Sequence, residues 1–239
     1  MRDARARLIV PLLPGVGETI RLAPEEAAHA RARRLADGDP VLLLDGSGRI
    51  AVAQVVSVTR AEALVRVSEI LATEPTRPAI SLCVAGLRAE KLAWMVEKAT
   101  ELGVTRIVIL ESARTQTFRA SPNVLSRLEK VARAAAKQCE RAEWPALSGP
   151  IELARVLEDE ASAHRYFLDF DGERFPRQLD SRPCALVVGP EGGWTNSERE
   201  RASDCGWRRV TLPAGKLRAE TAAIAAVVLL RAAIDPESG

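Results

Sequence analysis

The chain has 239 residues, 47% of them hydrophobic, which is enough for one large domain or two smaller ones, each with its own core. Its net charge of +2 does not by itself favour a nucleic-acid partner, and two histidines with four widely spaced cysteines predict reduced thiols and no metal site. Because no apolar run is long enough for a membrane span and the charged start lacks the apolar core of a signal peptide, we expect a cytoplasmic protein with no membrane partner.

The first part of the chain predicts β-structure with one helix. Short strands are predicted over residues 7–12, 19–22, 41–44, 50–58 and 64–70, separated by turn sequences. A helix is predicted over residues 24–35, with Pro24 in its first turn. Closely spaced short strands favour a small barrel. Two prolines, Pro75 and Pro78, are typical of a linker, so we predict a first domain over residues 1–72 and a second over 73–239.

The second part alternates between strands and helices. Strands are predicted over residues 79–85, 106–110, 165–170, 185–188 and 208–212, and helices over 88–102, 121–141, 151–160, 196–205 and 219–234. Gly103 is predicted to end the first of these helices, and Ser121 to cap the second. This alternation predicts an α/β domain with a mostly parallel sheet covered on both faces. The last helix is apolar nearly all round, as in a buried helix or a subunit interface.

A row of basic residues follows one edge of the predicted helix 121–141. At 100° per residue, Arg127, Lys130, Lys137 and Arg141 lie beside the apolar face, where they could follow a phosphate backbone or form an ordinary solvated edge. The first domain adds Arg7, Arg31 and Arg34. We therefore predict these seven residues as RNA contacts.

A glycine-rich turn follows the predicted strand 185–188. Its residues are Gly189, Pro190, Glu191, Gly192 and Gly193, and a second unusual loop, residues 212–221, also connects a strand to a helix. Ligands bind at the carboxyl ends of strands in open α/β sheets, and glycine allows close approach of backbone. The sequence lacks the phosphate-binding patterns GxxxxGK[ST] and GxGxxG at this place, so a nucleoside held by backbone groups or a purely structural turn remain as alternatives.

These two loops resemble the C-terminal signature of the SPOUT methyltransferases, and in particular of the bacterial RsmE type, which methylates N3 of a uridine in 16S rRNA. The matching stretches are GPEGG at residues 189–193, LRAETA at 217–222, KLAWMVEKATELGV at 91–104 and QCER at 138–141, with a weaker match around His29. The chain departs from the family pattern where Pro213, Ala214 and Gly215 replace Gly-Pro-Arg and where Ala219 replaces threonine.

The resemblance implies a PUA-like β-barrel that binds RNA, followed by an α/β domain with a trefoil knot. It also implies a homodimer with the active site at its interface, and 16S rRNA or the 30S subunit as partner. S-adenosylmethionine would lie in the knot, held by Val188, Gly189, Pro190, Glu191, Gly192, Gly193, Leu212, Leu217, Arg218, Thr221 and Ala222.

Methylation of uracil N3 requires loss of a proton and stabilisation of charge on two carbonyl oxygens. By the resemblance, Arg218 would stabilise the oxygens and Glu220 would accept the proton, with relay by water, or a structural role for Glu220 at the helix N-terminus, as alternatives. Glu191 is expected to brace its turn, with a position facing the sulfonium as the alternative. The tryptophans are expected in the core or at an interface, and Trp194 is the one to test for base stacking. A non-catalytic RNA-binding assembly factor and a SPOUT methyltransferase of another RNA are the competing functions.

Overall fold

The computed structural model describes residues 4–71, 78–115 and 122–234. The chain forms two units, one drawn from residues 1–76 and 136–144 and the other from 77–135 and 145–239. The predicted boundary between residues 72 and 73, and the predicted cap at Ser121, lie outside the described residues.

The first unit contains the predicted strands and helix. Its elements are β1 (Ala6–Ile9), β2 (Thr19–Arg21), α1 (Pro24–Ala32), β3 (Pro40–Leu44), β4 (Ile50–Val58) and β5 (Ala63–Leu71). The sheet order is β1-β3-β4-β5-β2, with β1 parallel to β3 and the other pairs antiparallel. Alternate residues such as Leu8, Val41 and Val65 fill its core.

The predicted barrel is observed as an open sheet. Among the described strands, β1 and β2 lie at opposite ends of the order and are not paired with each other. β2 has only three residues, which gives a short edge rather than a strand able to close the sheet.

Residues 136–144 belong to the first unit, although they follow a helix of the second part of the sequence. Lys137 Nζ lies 3.0 Å from a Glu26 carboxylate oxygen, and Arg7 Nη1 lies 2.9 Å from Glu140 Oε1. The ring of Trp144 occupies the space that a side chain at residue 46 would need, so glycine is required at Gly46. These contacts join a distant segment of sequence to the first sheet.

The second unit is built around a six-stranded sheet. Its elements are β6 (Ile80–Ala85), α2 (Ala89–Glu101), β7 (Arg106–Glu111), α3 (Pro122–Gln138, whose last residues count with the first unit), β8 (Ala146–Glu152), α4 (Leu153–Asp159), β9 (His164–Arg174), β10 (Cys184–Val188), α5 (Asn196–Asp204), β11 (Arg208–Thr211) and α6 (Ala219–Ile234). The order is β11-β9-β10-β6-β7-β8 and every pair is parallel, as predicted.

The edge strand β8 was not predicted. Its sequence contains Gly149 and Pro150, which are typical of turns, and the predicted helix 151–160 begins in the structure only at Leu153. Among the described strands β8 pairs only with β7, and the register of this pair shifts between Val108 and Leu110. Proline is tolerated at such an edge because one side of the strand makes no ladder bonds.

Both faces of this sheet are covered. β6 and β10 are buried at every position, as expected of central parallel strands. Side chains of α4 and α5 share one core with Cys83, Phe167 and Val187, whereas α6 contacts β6, β10 and α2. Gly103 ends α2 with a φ of 75°, as predicted. Because β9, β10 and β11 are neighbouring parallel strands, their carboxyl ends lie side by side at one edge of the sheet.

The described cysteines are free thiols, and Cys83 and Cys184 are buried. Burial raises the pKa of Cys83 to about 12 and that of Cys184 to about 11. Both thiols are therefore protonated at neutral pH and serve as small core residues.

None of the helices in the described ranges combines the length and the hydropathy that a membrane span requires. Within the same ranges, no group of three or more histidine, cysteine, aspartate and glutamate side chains is arranged to hold a metal ion.

Candidate functional site

The glycine-rich turn connects β10 to α5. The amide of Gly193 donates to the carbonyl of Pro190 at 2.9 Å, and Gly193 has a φ of 68°, a region that favours glycine. Thr195 and Glu198 then form a reciprocal capping box that begins α5. The turn is thus fixed at its centre and at the helix that follows it.

Gly189 is required by close packing rather than by its φ angle. A Cβ at this position would lie 2.7 Å from Cε2 of Trp194. The indole of Trp194 is only 2% exposed, donates through Nε1 to the carbonyl of Leu168 at 2.8 Å and packs on Phe167 with ring centroids 4.4 Å apart. Trp194 is therefore a core residue, as expected of the tryptophans in general, and its buried indole does not support the candidate role in base stacking.

This packing predicts a stability difference between two glycines of the site. Gly189→Ala is expected to cost about 1–3 kcal/mol, because an added methyl group overpacks the indole. Gly215→Ala is the matched control, since nothing lies within 4 Å of its Cβ position. We expect it to change stability by less than about 0.5 kcal/mol in urea unfolding. Equal stability of the two variants would contradict the role assigned to Trp194.

Arg114, in the loop after β7, donates hydrogen bonds to the backbone of the glycine-rich turn. Its Nη1 donates to the carbonyl of Gly192 at 2.9 Å and to that of Trp194 at 3.2 Å. Arg114 was not predicted from the sequence, because it follows β7 in a loop with no recognised motif. Its position after the carboxyl end of a strand was the available signal.

A pocket opens where the two predicted loops meet the end of β9. It encloses about 670 Å³ of empty space, part of it open to solvent. Of the predicted cofactor-binding residues, its lining includes Val188, Gly189, Pro190, Glu191, Gly193, Leu212, Leu217 and Ala222. Gly192, Arg218 and Thr221 lie outside that lining. The pocket also contains Phe170, which is 62% exposed and was not predicted.

Asp169 is a buried carboxylate in the wall of this pocket. Its Oδ2 accepts from Nε of Arg199 at 2.9 Å and from Nε of Arg209 at 3.0 Å. The two arginines belong to α5 and β11, so a single carboxylate ties together three elements that border the pocket. This residue was also missed, because its partners are distant in sequence.

A second, shallower cleft contains both predicted catalytic residues. Its lining is formed by Glu90, Lys91, Trp94, Arg218, Glu220 and Thr221. Trp94 is 44% exposed, which makes it the tryptophan with an accessible ring at this site. Arg218 is exposed, whereas Glu220 is buried as the second residue of α6.

Lys91 links the cleft to the glycine-rich turn. Its Nζ donates to Glu191 Oε1 at 2.5 Å and lies 3.5 Å from Glu220 Oε1. The hydrogen bond from Lys91 lowers the pKa of Glu191, and the same bond raises the pKa of Lys91. Glu220 Oε2 is buried and has no hydrogen-bond partner among the described residues. Glu220 therefore places a buried carboxylate oxygen, without a hydrogen-bond donor among the described residues, beside the cleft.

The predicted RNA contacts are distributed over both units. Arg7, Arg31, Arg34, Lys137 and Arg141 belong to the first unit, and Arg127 and Lys130 to the second. Lys137 and Arg7 form the ion pairs with glutamates described above, whereas Arg31, Arg34, Arg127 and Lys130 are exposed. The predicted helix 121–141 ends at Gln138, so Arg141 is not part of the basic edge of α3.

Comparison with known proteins gives consistent matches. A family model described as RNA methyltransferase domain matches residues 74–231. The chain is 32% identical to ribosomal RNA small subunit methyltransferase E of Rickettsia conorii, with 89% of each chain covered. It is 30% identical to the protein of the same name from Mycobacterium bovis, with 91% of this chain and 88% of that one covered.

A solved structure has the same fold. It is a ribosomal RNA small subunit methyltransferase E from Neisseria gonorrhoeae bound to S-adenosyl methionine. The TM-score is 0.85 at 25% identity, with 96% of this chain and 98% of that chain covered.

Proposed function

Because the chain belongs to the RNA methyltransferase domain family, we propose that it transfers a methyl group from S-adenosylmethionine to N3 of a uridine in 16S rRNA. Its relatives named ribosomal RNA small subunit methyltransferase E support rRNA of the small subunit as the substrate. The observation that carries the proposal is the pocket between the loops at residues 189–193 and 212–222, with a buried carboxylate, Glu220, in the adjoining cleft.

The lining of the pocket suits S-adenosylmethionine in its chemical character. Val188, Leu212 and Leu217 offer apolar surface to the adenosyl group, and Gly189 and Gly193 leave backbone groups accessible. The carboxylate of Glu191 suits the positive charge of the donor, and Lys216 suits its carboxylate. The bound donor supplies an activated methyl group on a sulfonium.

We assign two functions required for methylation of uracil to residues of the cleft. Uracil N3 must lose a proton, and we assign its acceptance to Glu220, whose Oε2 is unpaired among the described residues. Arg218 carries a permanent charge and several N–H donors, so we assign to it the stabilisation of the uracil carbonyl oxygens. Both side chains line the same cleft.

We further propose that the segment from β11 to α6 is threaded as a trefoil knot. β11 lies at the edge of the sheet next to β9, whereas α6 contacts β10 and β6. The loop at 212–218 must therefore cross from the edge strand to the middle of the sheet, beside the turn at 189–193. Such threading is rare, and it would explain why both loops line one pocket.

A homodimer with the active site at its interface is also part of the proposal. Trp94 on α2 and Val228 on α6 are 44% and 47% exposed, and the two helices pack against each other. Exposed apolar side chains next to a cleft are typical of an interaction surface. The PUA-like first unit, with Arg31 and Arg34 exposed, would bind RNA. We place the reaction in the cytoplasm, where ribosomal subunits are assembled.

The test of this function is methyl transfer from labelled S-adenosylmethionine. Assembled 30S particles and protein-free 16S rRNA, both from a strain that lacks the gene, serve as alternative substrates. We expect label in one uridine of 16S rRNA, identified after nuclease digestion as 3-methyluridine by mass spectrometry. RNA binding without donor affinity in calorimetry would instead indicate a non-catalytic assembly factor. Label at another base or in another RNA would indicate a different methyltransferase.

A further inference from the structure

We infer that Lys91 is a positioning residue that keeps the carboxyl of Glu220 ionised and ties it to the glycine-rich turn through Glu191. The inference rests on the proposed function, because it concerns the group assigned there as proton acceptor. Lys91 lies between the two glutamates, 2.5 Å from Glu191 and 3.5 Å from Glu220.

The need for such a cation follows from the burial of Glu220. A carboxylate removed from water tends to remain protonated, and a protonated carboxyl cannot accept the uracil proton. Glu220 is 8% exposed, and its Oε2 has no partner among the described residues. A positive charge beside Oε1 offsets part of this loss of solvation.

The charged groups around Glu220 support this assignment. Glu90, Lys91 and Arg218 line the same cleft as Glu220, and Lys91 also pairs with Glu191 in the turn after β10. β6 and β10, the strands beneath α6, contain no acidic or basic residue. Arg218 is exposed, and in the described part of the chain the ion pair to Glu220 is formed by Lys91.

The test is the titration of the Glu220 carboxyl, observed by NMR with ¹³C-labelled glutamate and assigned with Glu220→Gln. In Lys91→Met we expect its pKa to rise by about 1–3 units, because an opposite charge within hydrogen-bonding range has been removed. Lys91→Arg retains the charge and is expected to restore most of the difference. In Glu191→Gln the pKa of Glu220 is expected to fall, because a competing carboxylate is removed and Lys91 turns to Glu220.

A general loss of stability would not raise the pKa of Glu220 in Lys91→Met and lower it in Glu191→Gln. Lys98→Met is the matched control, because Lys98 lies on the same helix and pairs with Glu97 and Glu101, which are not part of the cleft. It is expected to leave the titration of Glu220 unchanged. The same pKa of Glu220 in wild type, Lys91→Met and Glu191→Gln would overturn the inference.

Activity measurements separate this inference from the proposed function. If wild type methylates 16S rRNA, the acidic limb of its kcat/KM profile should move to higher pH in Lys91→Met, in parallel with the NMR shift. An active wild type with unchanged titration would refute only the role of Lys91. Shifted titrations in an enzyme that methylates no rRNA would support the role of Lys91 in ionisation and refute the proposed function.

Discussion

Replacement of Glu220 with glutamine is expected to lower kcat for methyl transfer by about 10²- to 10⁴-fold, the usual contribution of a positioned general base. Glutamine has nearly the same shape, but its amide cannot accept the proton that leaves uracil N3. The affinity for S-adenosylmethionine should change little, because Glu220 lines the cleft and not the pocket between the two loops. Single-turnover methylation and calorimetry with the donor measure the two quantities separately.

The alternative roles of Glu220 predict other results. A carboxylate in the first turn of α6 interacts favourably with the helix N-terminus, but its loss costs only about 0.3–1 kcal/mol of stability. If water relays the proton instead, Glu220→Gln should retain most of the wild-type rate. Glu200→Gln is the control, since Glu200 is exposed on α5 and lines neither the pocket nor the cleft.

Local sequence was sufficient to predict the parallel sheet except for its edge strand β8, and to identify the two pocket loops. Alternating strands and helices indicated a parallel sheet, since parallel strands require long crossovers, and this was confirmed. The turn at 189–193 was identified from its glycines and its place after an apolar strand. β8 was missed because Gly149 and Pro150 are typical of turns, and only the position at the sheet edge explains how they fit a strand.

The side chains that organise the site could not be predicted from spacing alone. Lys91 donates a hydrogen bond to Glu191, which is 100 positions away in the sequence, and Arg114 donates one to Gly192, which is 78 positions away. Such pairs depend on which strand ends become neighbours, which periodicity does not specify. The family-like stretch beginning at Lys91 was a signal for that residue, but it gave no partner.

The exposure of Trp194 and Trp94 could likewise not be predicted from their positions in the sequence. Trp194 stands beside the glycine-rich turn in sequence, yet its indole is buried beneath Gly189. Trp94 lies in the middle of an amphipathic helix, yet its ring is partly exposed in the cleft. Sequence proximity to a loop therefore did not indicate which ring a ligand can reach.

The second large effect is expected at Asp169. Asp169→Ala should lower the stability of the second unit by about 3 kcal/mol, the lower end of the range for removing one partner from a buried ion pair. The side chain of Asp169 is 1% exposed, whereas Arg199 and Arg209 are 23% and 30% exposed, so the arginines regain some solvation. The corresponding decrease in Tm is roughly 6–12 °C.

The same substitution should also weaken donor binding, because Asp169 joins β9, α5 and β11 around the pocket. Thermal unfolding and calorimetry with S-adenosylmethionine are the two measurements. Asp171→Ala, at an exposed position on the same strand, is the control and should leave Tm nearly unchanged. Asp169→Asn keeps the size of the side chain but removes its charge, so its Tm should lie between those of wild type and Asp169→Ala. If Asp169→Ala instead had the same Tm as Asp171→Ala, the carboxylate of Asp169 would be dispensable for stability. The packing of Trp194 on Phe167 would then have to fix the end of β9.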